Sequence, residues 1–238
     1  MPLKATINYS PNFNIKKRPK KSIKFLIYHY TGMKSETAAI KKLTNIQSEV
    51  ASHYLIKKNG EIVIFVPDSY VAWHAGVSAW KKYKFLNQNS IGIEISNPGH
   101  QFGYKKFSLK QVNSLIKLSK FLIKKYKINK KNILGHSDIA PLRKKDPGEN
   151  FPWKYLAKKN IGFWHNLKKN ELNKLRNEKC NKILNNKFFT NLYKIGYSKN
   201  YKKQNEKLLI KAFQRRFRPS LINGIIDQEC LLLSKNLA

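Results

Sequence analysis

Cysteine, acidic residues and arginine are all scarce in this chain of 238 residues. The two cysteines, Cys180 and Cys230, have no metal-ligand spacing and no nearby second cysteine, so we interpret them as small buried apolar residues. No apolar run approaches the length that spans a bilayer, and we therefore expect no transmembrane segment. The N-terminus also lacks the apolar stretch of a signal peptide, which favours a cytoplasmic location.

The shortage of acidic residues leaves a formal net charge of +35, with 48 lysines and arginines against 13 aspartates and glutamates. Such a charge is typical of proteins that bind nucleic acid, an anionic membrane or an acidic polymer. Only six of the cationic residues are arginines, whereas specific phosphate recognition uses arginine heavily. An AT-rich genome, which encodes many lysines, asparagines and isoleucines, explains the positive charge more simply than nucleic-acid binding does. We therefore expect no specific nucleic-acid partner, although an acidic polymer would still be attracted.

The order of the apolar patterns predicts an α/β domain with a mixed central sheet flanked by helices. Asn59-Gly60 separates two apolar runs and predicts a hairpin. Ser108 and Gln111 form a capping-box pattern at the start of a long amphipathic helix. The loops at the carboxyl ends of parallel strands gather into a crevice, and this is where functional residues of such a sheet are expected to meet.

Two histidines and one aspartate are the candidate metal ligands. His29 ends the apolar run 24–28, His136 ends the run 132–135, and Asp146 follows ten residues later in a turn. Two imidazoles and a carboxylate form a three-ligand set for a zinc ion whose fourth position stays open to water. A single histidine at a strand end is more often a structural hydrogen-bonding residue than a ligand, so the hypothesis depends on the joint pattern.

Glu94 and Lys144 are the candidate catalytic residues. Glu94 lies on a strand in which isoleucines alternate with small residues, and the small residues leave room beside it for a ligand or ion. We interpret it as the general acid and base that moves a proton from water to a leaving amine. Lys144 is a candidate for stabilising a developing oxyanion. In the alternative interpretation, Glu94 is a surface carboxylate paired with a lysine, and Lys144 is an ordinary surface cation.

The other histidines carry weaker signals. His74 stands in the aromatic and glycine-containing segment 72–76, which suits a pocket wall, so it is a candidate substrate contact, second to a structural role. We expect His53 to form hydrogen bonds within a strand. His100 and His165 carry no usable signal.

Five segments, in this order along the chain, resemble the N-acetylmuramoyl-L-alanine amidases of the type 2 amidase family. They are 28–31, 52–56, 72–76, 89–94 and 135–148. The resemblance covers about residues 20–160. It implies the mixed α/β fold of that family and zinc-dependent hydrolysis of the amide bond between N-acetylmuramic acid and L-alanine in peptidoglycan or muropeptides.

The resemblance also assigns roles by motif match. It implies a Zn²⁺ ion held by His29, His136 and Asp146. Glu94 takes the position of the catalytic acid/base, and Lys144 takes that of the residue that stabilises the transition state. The candidate substrate contacts, all within the matching segments, are Trp73, His74 and Asn89.

We predict three regions: an N-terminal arm at 1–22, a zinc amidase domain at 23–168 and a small three-helix domain at 169–238. A polar, hinge-like segment at 201–205 lies within the third region. The segment 210–227 resembles a peptidoglycan-binding module. In the family, amidases with such a module are envelope enzymes, whereas cytoplasmic recycling amidases generally lack it. The location therefore stays open between cytoplasm and cell envelope, and we expect a monomer.

Two alternative functions remain from the sequence. A non-catalytic peptidoglycan receptor on the same fold would have lost a metal ligand, whereas all three are present here. A nucleic-acid binder driven by charge would lose affinity steeply with added salt. The sequence also leaves open whether the substrate is intact wall or anhydro-muropeptide.

Overall fold

The computed structural model of the chain describes residues 4–199 and 202–238. Residues 1–3 of the predicted arm and residue 201 of the predicted hinge lie outside the described residues. The strands are β1 Thr6–Ile7, β2 Phe13–Asn14, β3 Phe25–Tyr30, β4 Tyr54–Ile56, β5 Ile62–Ile64, β6 Val71–Ala72, β7 Ala79–Trp80, β8 Tyr83–Lys84, β9 Ser90–Ile95 and β10 Ile133–Gly135. The helices are α1 Glu36–Thr44, α2 Leu109–Tyr126, α3 His136–Ile139, α4 Trp153–Lys158, α5 Lys169–Leu175, α6 Lys182–Ile195, α7 Glu206–Phe217 and α8 Gln228–Leu237.

Within the described residues, the central sheet has six strands in the order β1-β5-β4-β9-β3-β10. Strands β4, β9, β3 and β10 run parallel to one another, whereas β5 is antiparallel to β4 and parallel to β1. The predicted mixed sheet is confirmed. The hairpin predicted at Asn59-Gly60 is also confirmed, because β4 and β5 pair on either side of it.

The two faces of the sheet differ because side chains alternate along each strand. The isoleucines of β9 pack on one face, in a buried cluster with Leu115, Leu118 and Leu122 of α2. Ser108 accepts a hydrogen bond from the Gln111 backbone at 3.2 Å, so the predicted capping box begins the helix. The opposite face carries the register pair His29 and Glu94, one residue on each of the central strands β3 and β9.

The N-terminal segment lies along the sheet and is held by buried Arg18. Strand β1 extends the sheet at its edge, and β2 pairs with β6. The Arg18 guanidinium donates to the backbone carbonyls of Asp68, Asn87 and Ser90 at 3.0, 3.1 and 2.7 Å. These bonds connect the segment to the chain that precedes β9 and to the first residue of β9 itself.

The helices from α5 onwards share a hydrophobic core with the sheet. Phe25 of β3 and Leu134 of β10 belong to the same buried cluster as Phe188, Leu192 and Phe213 of the C-terminal helices. The described part of the region 169–238 contains four α-helices, since short α5 precedes three longer ones, and a 3-10 helix at Lys203–Asn205; the sequence predicted three helices. No helix among the described residues is both long and apolar enough to cross a membrane.

Candidate metal centre and catalytic cleft

His29, His136 and Asp146 meet at the carboxyl ends of β3 and β10, and we call these three residues the metal triad. The Nδ1 atoms of the two histidines lie 2.9 Å apart. Each of them lies 3.0 Å from Oδ2 of Asp146. The three side chains are buried, and their potential ligand atoms lie within 4.8 Å of one another. The sequence separation of more than a hundred residues is closed by the parallel pairing of β3 with β10.

A closed loop explains the ten-residue spacing between the last two members of the triad. His136 is the first residue of α3, directly after β10. The chain then turns back, and the Ser137 N–H donates to the Asp146 carbonyl at 2.8 Å. Asp146 is therefore returned to the helix start that carries His136.

A chain of hydrogen bonds determines which ring nitrogen of His29 carries the proton and which one faces His136 and Asp146. The Ser90 hydroxyl donates to the Leu86 carbonyl at 2.6 Å, so its oxygen is left to accept from Nε2–H of His74 at 3.1 Å. His74 Nδ1 then accepts from Nε2–H of His29 at 3.0 Å. Burial lowers the pKa of His29 to about 4 and that of His74 well below its ordinary value, so both rings are neutral. Nδ1 of His29 therefore presents a lone pair to the space that it shares with His136 and Asp146.

His136 is oriented in the same way by the backbone. Its Nε2 lies 3.1 Å from the Ala75 carbonyl oxygen, which can only accept, and 3.3 Å from the Arg143 guanidinium, which can only donate. We assign the Nε2 proton from the shorter contact, that with the Ala75 carbonyl. A histidine that binds a metal must be neutral, and with its proton on Nε2 it offers the lone pair of Nδ1. Three electron-rich atoms at mutual distances of 2.9 to 3.0 Å repel one another unless a cation or shared protons lie between them. The donor set thus suits a metal cation.

Glu94 lies beside the triad with a carboxyl oxygen that no other group satisfies. Among the described residues, Glu94 Oε2 is a buried oxygen without a hydrogen-bond partner. Burial, together with the negative charge of Asp146, raises the pKa of Glu94 to about 8, and the charge of Lys144 opposes this rise. A carboxyl group with a pKa near neutrality can both accept and return a proton.

The triad, Glu94 and Lys144 line one cleft of about 550 Å³. Lys144 is half-buried, and its backbone N–H donates to the Ala140 carbonyl at 3.0 Å, within the same loop that returns Asp146 to α3. The cleft therefore brings together the candidate metal ligands, the candidate proton carrier Glu94 and the candidate cation Lys144.

The three predicted substrate contacts lie in different surroundings. Trp73 and His74 line the cleft, but both ring nitrogens of His74 are used by His29 and Ser90. Asn89 lies at the amino end of β9, and its side-chain amide donates to the Ser22 carbonyl at 3.1 Å. The roles of these three residues in substrate binding stay predictions.

Gly92 shows why His74 can reach the triad. The sequence indicated space beside Glu94 for a ligand or ion, and the structure places the His74 ring beside Gly92. A Cβ atom on Gly92 would lie 2.5 Å from Cγ of His74. His53, predicted as a hydrogen-bonding strand residue, accepts the Gly92 N–H at 3.0 Å through Nδ1.

His100 is a cleft residue for which the sequence carried no recognised signal. It lines the mouth of the cleft, its Nδ1 lies 2.9 Å from the Tyr30 hydroxyl and its Nε2 lies 3.0 Å from Glu149. The usable signal was its position: His100 lies in the loop after the carboxyl end of β9, at the sheet edge where His136 directly follows β10. His165 lies outside this set of cleft residues.

Comparisons with known proteins agree with this geometry. A family model, Amidase_2, described as N-acetylmuramoyl-L-alanine amidase, matches residues 19–149. The chain is 35% identical to the N-acetylmuramoyl-L-alanine amidase AmiD of Escherichia coli over 229 residues, which cover 90% of this chain and 82% of that protein. The chain belongs to the Amidase_2 family. It is also 42% identical, over 47% of its length and 59% of the relative's, to the 1,6-anhydro-N-acetylmuramyl-L-alanine amidase AmpD of Haemophilus influenzae.

Solved structures of Amidase_2 relatives match nearly the whole chain. E. coli AmiD in complex with the substrate anhydro-N-acetylmuramic acid-L-Ala-D-gamma-Glu-L-Lys has a TM-score of 0.78 at 34% identity, covering 94% of this chain and 91% of AmiD. AmpDh3 of Pseudomonas aeruginosa has a TM-score of 0.79 at 30% identity, covering 98% of both chains. The similarity therefore extends past the family match at residue 149 and includes the C-terminal helices.

Proposed function

We propose that this amidase hydrolyses the amide bond between N-acetylmuramic acid and L-alanine in muropeptides, with zinc as its cofactor. The observation that carries the proposal is that the metal triad and the carboxyl group of Glu94, whose Oε2 is buried and without a partner, line one cleft. The substrate bound to the relative AmiD contains N-acetylmuramic acid in its anhydro form, followed by L-alanine. We therefore infer that anhydro-muropeptides are among the substrates of this chain.

Zinc suits the donor set of the triad. Two imidazole nitrogens and one carboxylate oxygen are ordinary zinc ligands, and three protein ligands are typical of catalytic rather than structural zinc sites. When bound, zinc would supply Lewis-acid chemistry that activates a water molecule and polarises the substrate carbonyl. The hydrogen bonds to His74 and to the Ala75 carbonyl would keep both imidazoles in the tautomer that a cation requires.

Glu94 would carry the proton through the reaction. It removes a proton from the attacking water while the bond between the water oxygen and the carbonyl carbon forms. It then delivers that proton to the nitrogen of L-alanine while the carbon–nitrogen bond breaks. The products are a free muramic carboxylate and a stem peptide with a free amino group.

Lys144 would stabilise the negative charge that develops on the carbonyl oxygen. Its ammonium group belongs to the cleft lining and acts electrostatically on both Glu94 and His29. Positive charge placed where an oxyanion forms is worth about 10²- to 10³-fold in rate.

Mass spectrometry of muropeptides digested by the purified protein tests the proposal. We expect stem peptides with a free L-alanine amino group, no release after chelator treatment and recovery when Zn²⁺ is added back. Both anhydro-muropeptides and intact sacculi should be offered, since only the former are supported by the relatives' complexes. Turnover that survives complete metal removal would contradict the zinc proposal, and absence of cleavage with bound zinc would contradict the reaction.

Lys144→Gln tests the assignment of the cation. We expect kcat to fall about 100-fold while zinc stays bound, because the triad is unchanged. Lys145→Gln is the matched control, since it removes the same charge from the adjacent position. Equal losses in both variants would indicate a general electrostatic effect of the loop instead of a specific role for Lys144.

A further inference from the structure

A buried carboxylate lies on the short helix that begins at the metal ligand His136. Asp138, two residues along α3, is 1% exposed. Its Oδ2 accepts the Gly135 N–H at 2.8 Å, and its Oδ1 accepts the Tyr197 hydroxyl at 2.9 Å. The Arg216 guanidinium also donates to Oδ2. An ionised carboxylate at this depth requires such partners, because burying an unpaired charge is costly.

Two of these partners come from the C-terminal helical region. Tyr197 follows α6, and Arg216 belongs to α7. The other arm of the Arg216 guanidinium, NH2, donates to the Ile133 carbonyl at 3.0 Å, at the start of β10. Arg216 is therefore bonded to both ends of the segment 133–138, in which His136 lies.

The position of Arg216 is itself rigid. The residue is 2% exposed, and its guanidinium carbon lies 4.1 Å from the ring centre of Trp153 and 4.7 Å from that of Phe163. Stacking on aromatic rings and two-pronged hydrogen bonding are the properties that distinguish arginine from lysine. Aromatic packing therefore holds the guanidinium in place in addition to its hydrogen bonds.

The short helix that carries His136 cannot hold the His136 ring in a fixed position by itself. It has four residues, His136 to Ile139, and a single helical turn is unstable without tertiary anchors. The His136 ring must nevertheless keep its Nδ1 within 3.0 Å of Asp146. External anchors on Asp138 and Ile133 meet this requirement.

We propose that Arg216 and Tyr197 are positioning residues for the metal ligand His136, so that the C-terminal helices complete the metal centre of the amidase domain. The inference rests on the proposed function insofar as the triad must bind zinc. It goes beyond that function by giving the C-terminal region a role at the metal centre that does not depend on wall binding. The shared core between these helices and strands β3 and β10 supplies the rigid contact that such coupling needs.

Zinc affinity of the full-length, metal-free protein tests this coupling without using amidase activity. Zn²⁺ is titrated against a chromogenic chelator for wild type, Arg216→Gln, Arg216→Lys and Tyr197→Phe. We expect Arg216→Gln to weaken zinc binding about 10- to 100-fold, as loss of residues that orient metal ligands generally does. Arg216→Lys should recover part of the loss, since it keeps the charge but cannot bond to Asp138 and Ile133 together.

Arg218→Gln is the matched control. Arg218 is also 2% exposed and bonds to the buried carboxylates of Asp227 and Glu229, within the C-terminal region. Both glutamine variants should lower the melting temperature, but only Arg216→Gln should weaken zinc binding. An equal loss of zinc affinity in Arg218→Gln, or unchanged affinity in folded Arg216→Gln, would overturn the proposal.

Tyr197→Phe keeps the proposal testable if Arg216→Gln does not fold. It removes one hydroxyl group and keeps the ring, which packs 4.9 Å from the ring centre of Trp80. We expect zinc affinity to fall severalfold, and wild-type affinity in this variant would then overturn the inference. Failure of the wild-type protein to bind zinc would instead contradict the proposed function, so the two failures are distinguishable.

Discussion

Replacing Glu94 with glutamine should separate the chemistry of the cleft from its metal binding. Glutamine has nearly the same shape as glutamate but cannot accept and return a proton. We expect kcat to fall about 10²- to 10⁴-fold, which is the usual contribution of a general acid or base. Zinc content should equal that of the wild type, because the three members of the triad are untouched.

The same substitution should stabilise the metal-free protein at neutral pH. Burial and the charge of Asp146 raise the pKa of Glu94 from 4.5 to about 8. The unfolded chain therefore releases this proton at a lower pH than the folded chain, and stability falls as pH rises from 4.5 to 8. One pKa unit corresponds to about 1.4 kcal/mol, so the penalty at pH 7 is at most about 3 to 4 kcal/mol. Glutamine carries no such penalty.

Urea unfolding of chelator-treated wild type and Glu94→Gln between pH 4.5 and pH 8 measures this effect. The two free energies of unfolding should be similar at pH 4.5 and should diverge as pH increases, with the variant more stable. A difference that does not change with pH would refute the raised pKa. A kcat within tenfold of wild type would refute the role of Glu94 as acid and base.

Three further substitutions test the metal centre and the fold. Asp146→Ala should abolish stoichiometric zinc binding in metal analysis after dialysis, and one zinc per chain in this variant would contradict the triad. Gly92→Ala should weaken Zn²⁺ affinity in a chelator competition, because the new Cβ would lie 2.5 Å from the His74 ring; wild-type affinity would show that His74 does not orient His29. Asp68→Asn should cost about 2 kcal/mol in urea unfolding above pH 4. Burial opposes ionisation of Asp68, but hydrogen bonds, first of all from Lys125, outweigh it and lower its pKa, so the cost should shrink as pH falls below 4. A cost that is constant with pH would exclude this explanation.

The metal triad was predictable because local patterns place its members at strand ends. Short apolar runs identified the strands that lead to His29 and His136, and parallel pairing brings such ends to one edge of a sheet. Asp146 lies only ten residues after His136, so a short return loop is enough to bring it to the same site. Glu94 followed from alternation, since it faces away from the isoleucines of β9 and pairs in register with His29.

The partners that orient the triad were not predictable in this way. His74 belongs to an irregular segment between β6 and β7. Such a segment has no periodic pattern from which the direction of the His74 ring could be predicted. Its contact with His29 depends on the missing Cβ of Gly92, a relation between two segments that are distant in the chain. The sequence indicated a pocket wall for His74, and the structure shows in addition that its two nitrogens relay a hydrogen bond from His29 to Ser90.

The role of arginine in this chain links its composition to its architecture. The scarcity of arginine argued against specific phosphate recognition, and the structure shows where four of the six arginines lie. Arg18, Arg215, Arg216 and Arg218 are all buried. A buried lysine readily loses its charge, whereas arginine keeps it and offers several donors in a fixed plane. In a chain whose surface positions are filled by lysine, arginine is thus used where a permanent charge must be held inside the protein.

This use of arginine predicts how the C-terminal helices tolerate mutation. Substitutions among the exposed lysines of α5 to α8 should have little effect on stability, because surface ion pairs contribute at most about 1 kcal/mol. Replacement of Arg216 or Arg218 removes the cation that is paired with a buried carboxylate and should cost about 3 to 5 kcal/mol. If the helices served only to attract an anionic wall, the lysines would matter for binding and Arg216 would not matter for zinc. The zinc affinities of the Arg216 and Arg218 variants therefore decide between an attached binding module and a structural part of the metal centre.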